Sequence, residues 1–415
     1  MAGASTEQEP VDVVVIGAGP SGAIASALLA RKGHKVRVLE RETFPRFSIG
    51  ESLLPQSMQY VEEAGMMAAV HAAGFQFKNG AAFQYRGQRT EFDFRQKFSP
   101  GWSTTYQVER ATFDKILADE AARMGVDVRY QHEITAVDLD GDRPQVTYRD
   151  VEGNEQSLAA RFLLDASGFG RVLPRLLDLN TPSDFPVRQS IFTHVVDHIT
   201  PGKFDRNKIL VTIHPEHRDV WFWLIPFGDG RASLGVVARE AFFDNYSGEP
   251  AEKLRAIVAE DAGLSDLLAE AEFKFPVRVI TGYSANVKSL YGKGFALLGN
   301  AGEFLDPVFS SGVTIAMRSA SMAAALLDRQ LRGEVVDWQS EYAEPLVKGV
   351  DTFRTFVTAW YDQRFQDIIF YQQQMEEVKA MICSILAGYA WDTNNPYVKE
   401  GERRLNVLAE ICQSA

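Results

Sequence analysis

Val11-Asp12-Val13-Val14-Val15-Ile16 runs without interruption into Gly17-Ala18-Gly19-Pro20-Ser21-Gly22, and then into the helix-period segment Ala23–Ala30. A β-branched run of this kind is what a strand buried on both faces requires. Gly17 permits a tight turn, and Gly19 lets a backbone come close to a pyrophosphate. Gly22 lets helix and strand pack closely, with Pro20 and Ser21 completing the loop. The first turn of the helix then offers free N–H groups to the phosphates. A second strand, Lys35–Leu39, ends in Glu40, where an acid that binds a ribose belongs. A G-x-G-x-x-G alone arises by chance. With strand, helix and acid in place it specifies a dinucleotide site, without saying which dinucleotide.

The 415 residues suffice for two or three domains. The formal net charge of -12 argues against nucleic-acid or anionic-membrane partners. No apolar run approaches the roughly 20 residues that a membrane span needs, and the first ten residues form a short polar tail. Cys383 and Cys412 make neither a disulfide framework nor a metal-site spacing. A cytoplasmic protein without a metal is the expectation.

Three further segments point to FAD. Val108–Asp114 resembles the stretch with which FAD-dependent monooxygenases bring an arginine, here Arg110, near the ribityl chain or pyrophosphate. The plainer reading of Arg110 is a surface ion-pair partner. Phe162–Gly168 resembles their second buried strand and turn. Phe295–Ala301 resembles the strand that ends in Gly-Asp at the ribityl hydroxyls, with Asn300 in place of the acid.

Three more blocks narrow the family. These are Trp221-Phe222-Trp223-Leu224-Ile225-Pro226, Phe304–Gly312 with its F-x-x-P-x-x-S-x-G pattern, and Lys78 downstream of Ile49-Gly50-Glu51-Ser52-Leu53-Leu54-Pro55. Together they resemble the flavin-dependent halogenases. Each block also has an ordinary reading. A lysine among apolar residues is usually a surface side chain whose stem covers hydrophobic area. Trp221, Trp223, Ile225 and Pro226 alternate as in a half-buried aromatic strand, and Ser310 or Ser311 could cap the following helix.

The resemblance implies that Lys78 meets hypohalous acid, by hydrogen bonding or as a transient haloamine, and directs the halogen to the substrate. It implies that the Trp221–Pro226 block obstructs direct substrate approach to the flavin. Pro307 and Gly312 would border the isoalloxazine, and Ser311 and Gly312 would present backbone N–H groups to halide. Tryptophan halogenases carry a glutamate where this chain has Phe309. A phenol or pyrrole, free or tethered to a carrier protein, is therefore the expected substrate. No carboxylate that takes up the ring proton is readable from the sequence.

The implied architecture is α/β: an aromatic-hydroxylase-like, Rossmann-type FAD fold with an antiparallel substrate sheet and C-terminal helices. Residues 11–75, 105–180 and 276–337 would build a discontinuous FAD-binding domain. Residues 76–104 and 181–275 would form the sheet domain, and 338–415 a helical region with Phe353, Phe356, Trp360, Tyr361, Phe365, Phe370 and Tyr371 packed on the FAD domain. The resemblance further implies chloride or bromide, O2, and reduced FAD from a partner flavin reductase, since no second nucleotide loop is visible. A flavin monooxygenase or prenyl-type reductase on the same fold is the competing reading. A flavoprotein acting only as a binding or sensor module is a third.

Overall fold

A computed structural model describes residues 11–373 and 375–414. Val11–Ile16 lies in the middle of a parallel sheet, paired with Glu155–Asp165 on one side and Val36–Glu40 on the other. Phe295–Leu297 and Asp127–Tyr130 extend this sheet, again in parallel. Val13, Val14 and Val15 are completely buried: Val13 and Val15 share a core with the helices Pro20–Arg31, Arg110–Arg123 and Gly312–Leu331, while Val14 faces a second core with Leu39, Val146 and Tyr148 on the other side of the sheet. All these strands run the same way. Their carboxyl ends therefore gather Gly17, Glu40, Ala166 and Asn300 along one crevice, the usual ligand position in such sheets.

The second sheet has seven strands, in the order Arg278–Thr281, Arg188–Val196, Arg231–Arg239, Trp221–Pro226, Lys208–Ile213, Gly80–Tyr85 and Gln88–Asp93. It is antiparallel except where Lys208–Ile213 runs parallel to Gly80–Tyr85. Trp221–Pro226 is buried at all six positions rather than half-buried. Phe222 and Leu224 face a core with Leu254, Ile257 and Leu264, from the helices Pro250–Ala259 and Ala262–Leu267. Trp221, Trp223 and Ile225 face the other way. Helices cover both faces, so the alternation separates two apolar environments and not apolar from wet.

The aromatic C-terminal helices pack mainly on the inner face of this second sheet. Trp360 lies 5.9 Å from both Phe83 and Phe309, and Phe370 lies 6.1 Å from Tyr85, centroid to centroid. The sheet presents Phe83, Phe92 and Trp221 on that side, an apolar surface that the helices take out of water. The start of the region, Trp338, Tyr342 and Leu346, joins the FAD-side core, and Trp391 packs against it. Among the described residues no helix is long and apolar enough to cross a membrane.

Candidate active site

A cavity of about 420 Å³ runs from the glycine-rich loop to the start of the helix Gly312–Leu331. At one end Gly17 has φ +92°, open to glycine at little cost. A side chain on Gly22 would collide with the Gly17 carbonyl oxygen, so both glycines are required by contact. Gly19 occupies the N-cap of Pro20–Arg31, and no side chain caps that end. Gly19, Pro20 and Ser21 line the cavity. Glu40, also lining it, accepts from Ala18 N–H and Glu42 N–H, both at 2.9 Å. Arg46 stands 3.9 Å from the Glu40 carboxylate and 3.4 Å from Asp114.

Arg110 is an ion-pair partner, but a buried one. It clamps Asp114 with two bonds of 2.7 and 2.9 Å and donates to the Ile49 carbonyl at 2.5 Å. The bidentate pair orients the guanidinium, and its remaining nitrogen, Nη1, holds the 49–50 turn at the cavity wall. Asn300 lines the cavity, and its Oδ1 is buried without a hydrogen-bond partner among the described residues. An elongated cleft with uncapped helix ends, a carboxylate and an orphaned amide oxygen suits FAD.

At the far end Pro307, Ser310 and Gly312 line the cavity, with Ser311 buried between the last two. Ser310 is left-handed at φ +56°, and Ser311 is the N-cap of the long helix without making a side-chain cap bond. The first-turn N–H groups of that helix are thus free for an anion.

Trp221, Trp223 and Ile225 form a wall of the cavity. Trp223 lies across Gly235, where any side chain would overlap its indole, and its Nε1 donates to Ser233 Oγ at 3.0 Å. Pro226 closes the strand opposite Ala232. Trp221 Nε1 donates to the Tyr361 hydroxyl at 3.0 Å, which donates in turn to Asp306 Oδ2 at 2.9 Å. Asp306 Oδ1 accepts from Val308 N–H at 3.0 Å. Burial pushes the Asp306 carboxyl up to about 6.

Lys78 ends the short strand Gln76–Lys78, paired with Thr105–Gln107, and is 1% exposed. It is not a surface lysine. Its Nζ donates to Ser52 Oγ and to the Leu53 carbonyl, each at 2.7 Å, with the Phe94 ring 5.4 Å away. Burial lowers its pKa to about 7. Ser52 lines the cavity, so the amine sits one hydroxyl behind the wall. Glu51, beside Ser52, lines the same wall and accepts from His194 Nε2 at 2.6 Å.

Sequence reasoning gave Glu51 no role beyond its segment and passed over His194, Arg46, Asp306 and Tyr361. The Glu51–His194 pair spans 143 positions and the Arg46–Asp114 pair 68. Neither has a local spacing that would betray it.

Residues 10–343 match the model of the FAD binding domain family. A tryptophan 2-halogenase of Chondromyces crocatus is 31% identical over 78% of this chain, which spans 62% of that protein's length. A 1H-pyrrole-2-carbonyl-[peptidyl-carrier protein] chlorinase of Pseudomonas fluorescens is 28% identical over 84% of this chain and 83% of its own. The crystal structure of a flavoprotein/dehydrogenase from Cytophaga hutchinsonii is 46% identical, with a TM-score of 0.95 over 98% of this chain and 99% of that one.

Proposed function

Given that this chain belongs to the FAD-binding domain family and, within it, to the flavin-dependent halogenases, we propose that it chlorinates or brominates an electron-rich aryl ring. The ring is a phenol or pyrrole, free or tethered to a carrier protein. A separate flavin reductase supplies the FAD in reduced form. The observation that carries this reading is Lys78, a buried amine of depressed basicity that touches the cavity wall through Ser52.

FAD would be held with its pyrophosphate at Gly17, Gly19, Pro20, Ser21 and Gly22 and its ribose at Glu40. Arg110 and Asn300 would lie along the ribityl chain, and Pro307 and Gly312 would border the ring system. When bound and reduced, FAD with O2 supplies the oxidising equivalents that turn halide into hypohalous acid. The N–H groups at Ser311 and Gly312 hold the halide, as an uncapped helix start favours an anion. Lys78 uses two of an ammonium's three N–H bonds on Ser52 and Leu53, leaving one for the hypohalous oxygen. Trp221, Trp223, Ile225 and Pro226 keep the aryl substrate off the flavin face. Phe309 packs edge-on against Trp360 and Phe365, so no acid is available there to orient an indole. Carrier-bound pyrrole, the substrate class of the Pseudomonas relative, remains in the substrate panel for that reason.

The test is mass spectrometry of the protein supplied with FAD, a flavin reductase, NADH, O2 and bromide, against phenols and pyrroles in free and carrier-bound form. A halide-dependent mass gain that Lys78→Ala abolishes is the expected result. An oxygen-atom gain, or substrate reduction without halide, establishes the second reading, a monooxygenase or reductase. The 46% identity to a flavoprotein/dehydrogenase favours that reading.

A further inference from the structure

We propose that Thr105 and Gln107 complete, with Lys78, a three-point seat for the oxygen of hypohalous acid; this rests on the halogenation reading above. Lys78, Thr105, Gln107 and Ser52 are each no more than 3% exposed. The Lys78 ammonium spends two N–H bonds on Ser52 Oγ and the Leu53 carbonyl, and its third meets no acceptor among the described residues. Thr105 Oγ1 and Gln107 Oε1 are also buried without a hydrogen-bond partner among the described residues. Gln107 Nε2 donates to the Arg206 carbonyl at 2.8 Å, and a carbonyl only accepts, so the free end of that amide is its oxygen. Unsatisfied polar atoms are costly to bury, and three in one place call for a polar occupant.

The strand pairing brings these groups together. Thr105–Gln107 is the middle strand of a small patch, with Lys78 opposite Thr105 on one side and Ser52 opposite Gln107 on the other. Opposed residues share a face, as do residues two apart, so all four side chains project the same way. Neighbouring strands lie about 4.8 Å apart. The hydrogen bond from Lys78 to Ser52 therefore crosses the middle strand, and the ammonium comes to rest over Thr105 and Gln107. No hydrogen bond joins it to either, which leaves both as partners for a third molecule. The opposite face carries Tyr106, packed 6.4 Å from Phe75, centroid to centroid. Ser52 lines the cavity, so acid formed there has one hydroxyl to pass.

The hydrogen-bonding pattern names the occupant. Lys78 offers a donor, Gln107 Oε1 only accepts, and the Thr105 hydroxyl has a proton to give. The oxygen of hypohalous acid carries two lone pairs, one hydrogen and one halogen. Its lone pairs take the Lys78 N–H and the Thr105 O–H, and its hydrogen goes to Gln107 Oε1. Three directions about a tetrahedral oxygen are then filled, and the halogen must take the fourth. Halide and hypohalite have no proton for Gln107, and each would face the negative end of its amide dipole. The seat thus accepts the neutral acid and aims its halogen along one line. Thr105 and Gln107 bind and orient, while the transfer itself stays with Lys78.

The experiment compares wild type, Thr105→Val, Thr105→Ser and Gln107→Leu, each with FAD, reductase, NADH, O2, bromide and an acceptor identified with the wild type. Monochlorodimedone in the same mixture traps acid that escapes. The readout is the ratio of aryl product to trapped hypohalous acid. The ratio should fall on the order of 10-fold in Thr105→Val and in Gln107→Leu, the effect of one lost hydrogen bond. It should return in Thr105→Ser, which restores the hydroxyl. Thr105→Val should unfold in denaturant no earlier than wild type, since its hydroxyl has no partner among the described residues. An unchanged ratio in Thr105→Val means that the site holds water alone, and overturns the seat while leaving the halogenase reading intact. A destabilised Thr105→Val does the same, because the hydroxyl would then have a structural partner. If Gln107→Leu fails to fold, the two Thr105 variants decide. A wild type that gives neither product nor trapped acid overturns both readings.

Discussion

Lys78 Nζ stands 2.7 Å from Ser52 Oγ, and the shift of its pKa to about 7 has burial as its cause. The amine is therefore charged at the expense of the fold. Its unfolded pKa is about 10.4. Below pH 7 both states are protonated and the cost is complete, on the order of 5 kcal/mol. Between about 7 and 10.4 the unfolded chain holds more protons, so stability rises with pH. Lys78→Met should stabilise the protein most near pH 6 and progressively less toward pH 10. Denaturant titrations at the two pH values check this, and equal gains at both would remove the depressed pKa.

For function, Lys78→Ala should keep FAD affinity and flavin oxidation but lose halogenated product by at least about 100-fold, the scale of a lost acid–base group. Flavin fluorescence titration and product mass spectrometry measure the two. Unchanged product formation would exclude Lys78 from the chemistry.

Glu40 accepts two backbone N–H groups, from Ala18 and Glu42, and so braces the glycine-rich loop. Glu40→Ala should weaken FAD binding on the order of 10- to 100-fold, as loss of charged hydrogen bonds worth about 1.5–3 kcal/mol would. Normal affinity by fluorescence titration would sever Glu40 from the ribose.

Asp306 has its carboxyl raised to about 6, against an ordinary value near 3.9. The native state therefore holds the extra proton between these values, and the stability this gives is lost as pH rises through about 6. Asp306→Asn removes the charge, keeps Oδ1 as the acceptor for Val308 N–H, and turns the other contact round so that Nδ2 donates to the Tyr361 hydroxyl. It should raise Tm at pH 7.5 relative to wild type, with little or no gain at pH 4.5. A gain at pH 4.5 as large as that at 7.5 would contradict the raised carboxyl.

Tyr361→Phe removes the hydroxyl that joins Trp221 to Asp306 and strands two buried polar groups. A loss of about 1–3 kcal/mol is expected in denaturant unfolding. A loss indistinguishable from zero would mean the chain of bonds is not maintained in solution.

The nucleotide half was legible because its signals are local. Val11–Ile16, the glycines and Glu40 lie within one strand–helix–strand unit, and Gly17 and Gly22 sit where the backbone leaves no room for another residue type. The wall of the site was legible only as a pattern. Trp221–Pro226 alternates visibly, but whether the opposite face meets water depends on helices more than twenty residues downstream. Glu51 with His194, and Asp306 with Tyr361, arise from tertiary closure of separate segments, and no periodicity encodes such pairs. The C-terminal aromatics were legible in part: Trp360 and Phe365 meet Phe309 of the FAD-side segment as expected, while their contact with Phe83 and Tyr85 on the second sheet has no sequence signal.

Trp223 lies flat because Gly235, on the neighbouring strand, has no side chain to lift it, and both strands have partners on either side. An inserted or deleted residue in Trp221–Pro226 would turn Phe222 and Leu224 toward the cavity and its tryptophans away. This wall can therefore change by substitution but not by length. New substrate shapes in relatives of this protein should be found in the loops around the chamber, while the two tryptophans keep their register.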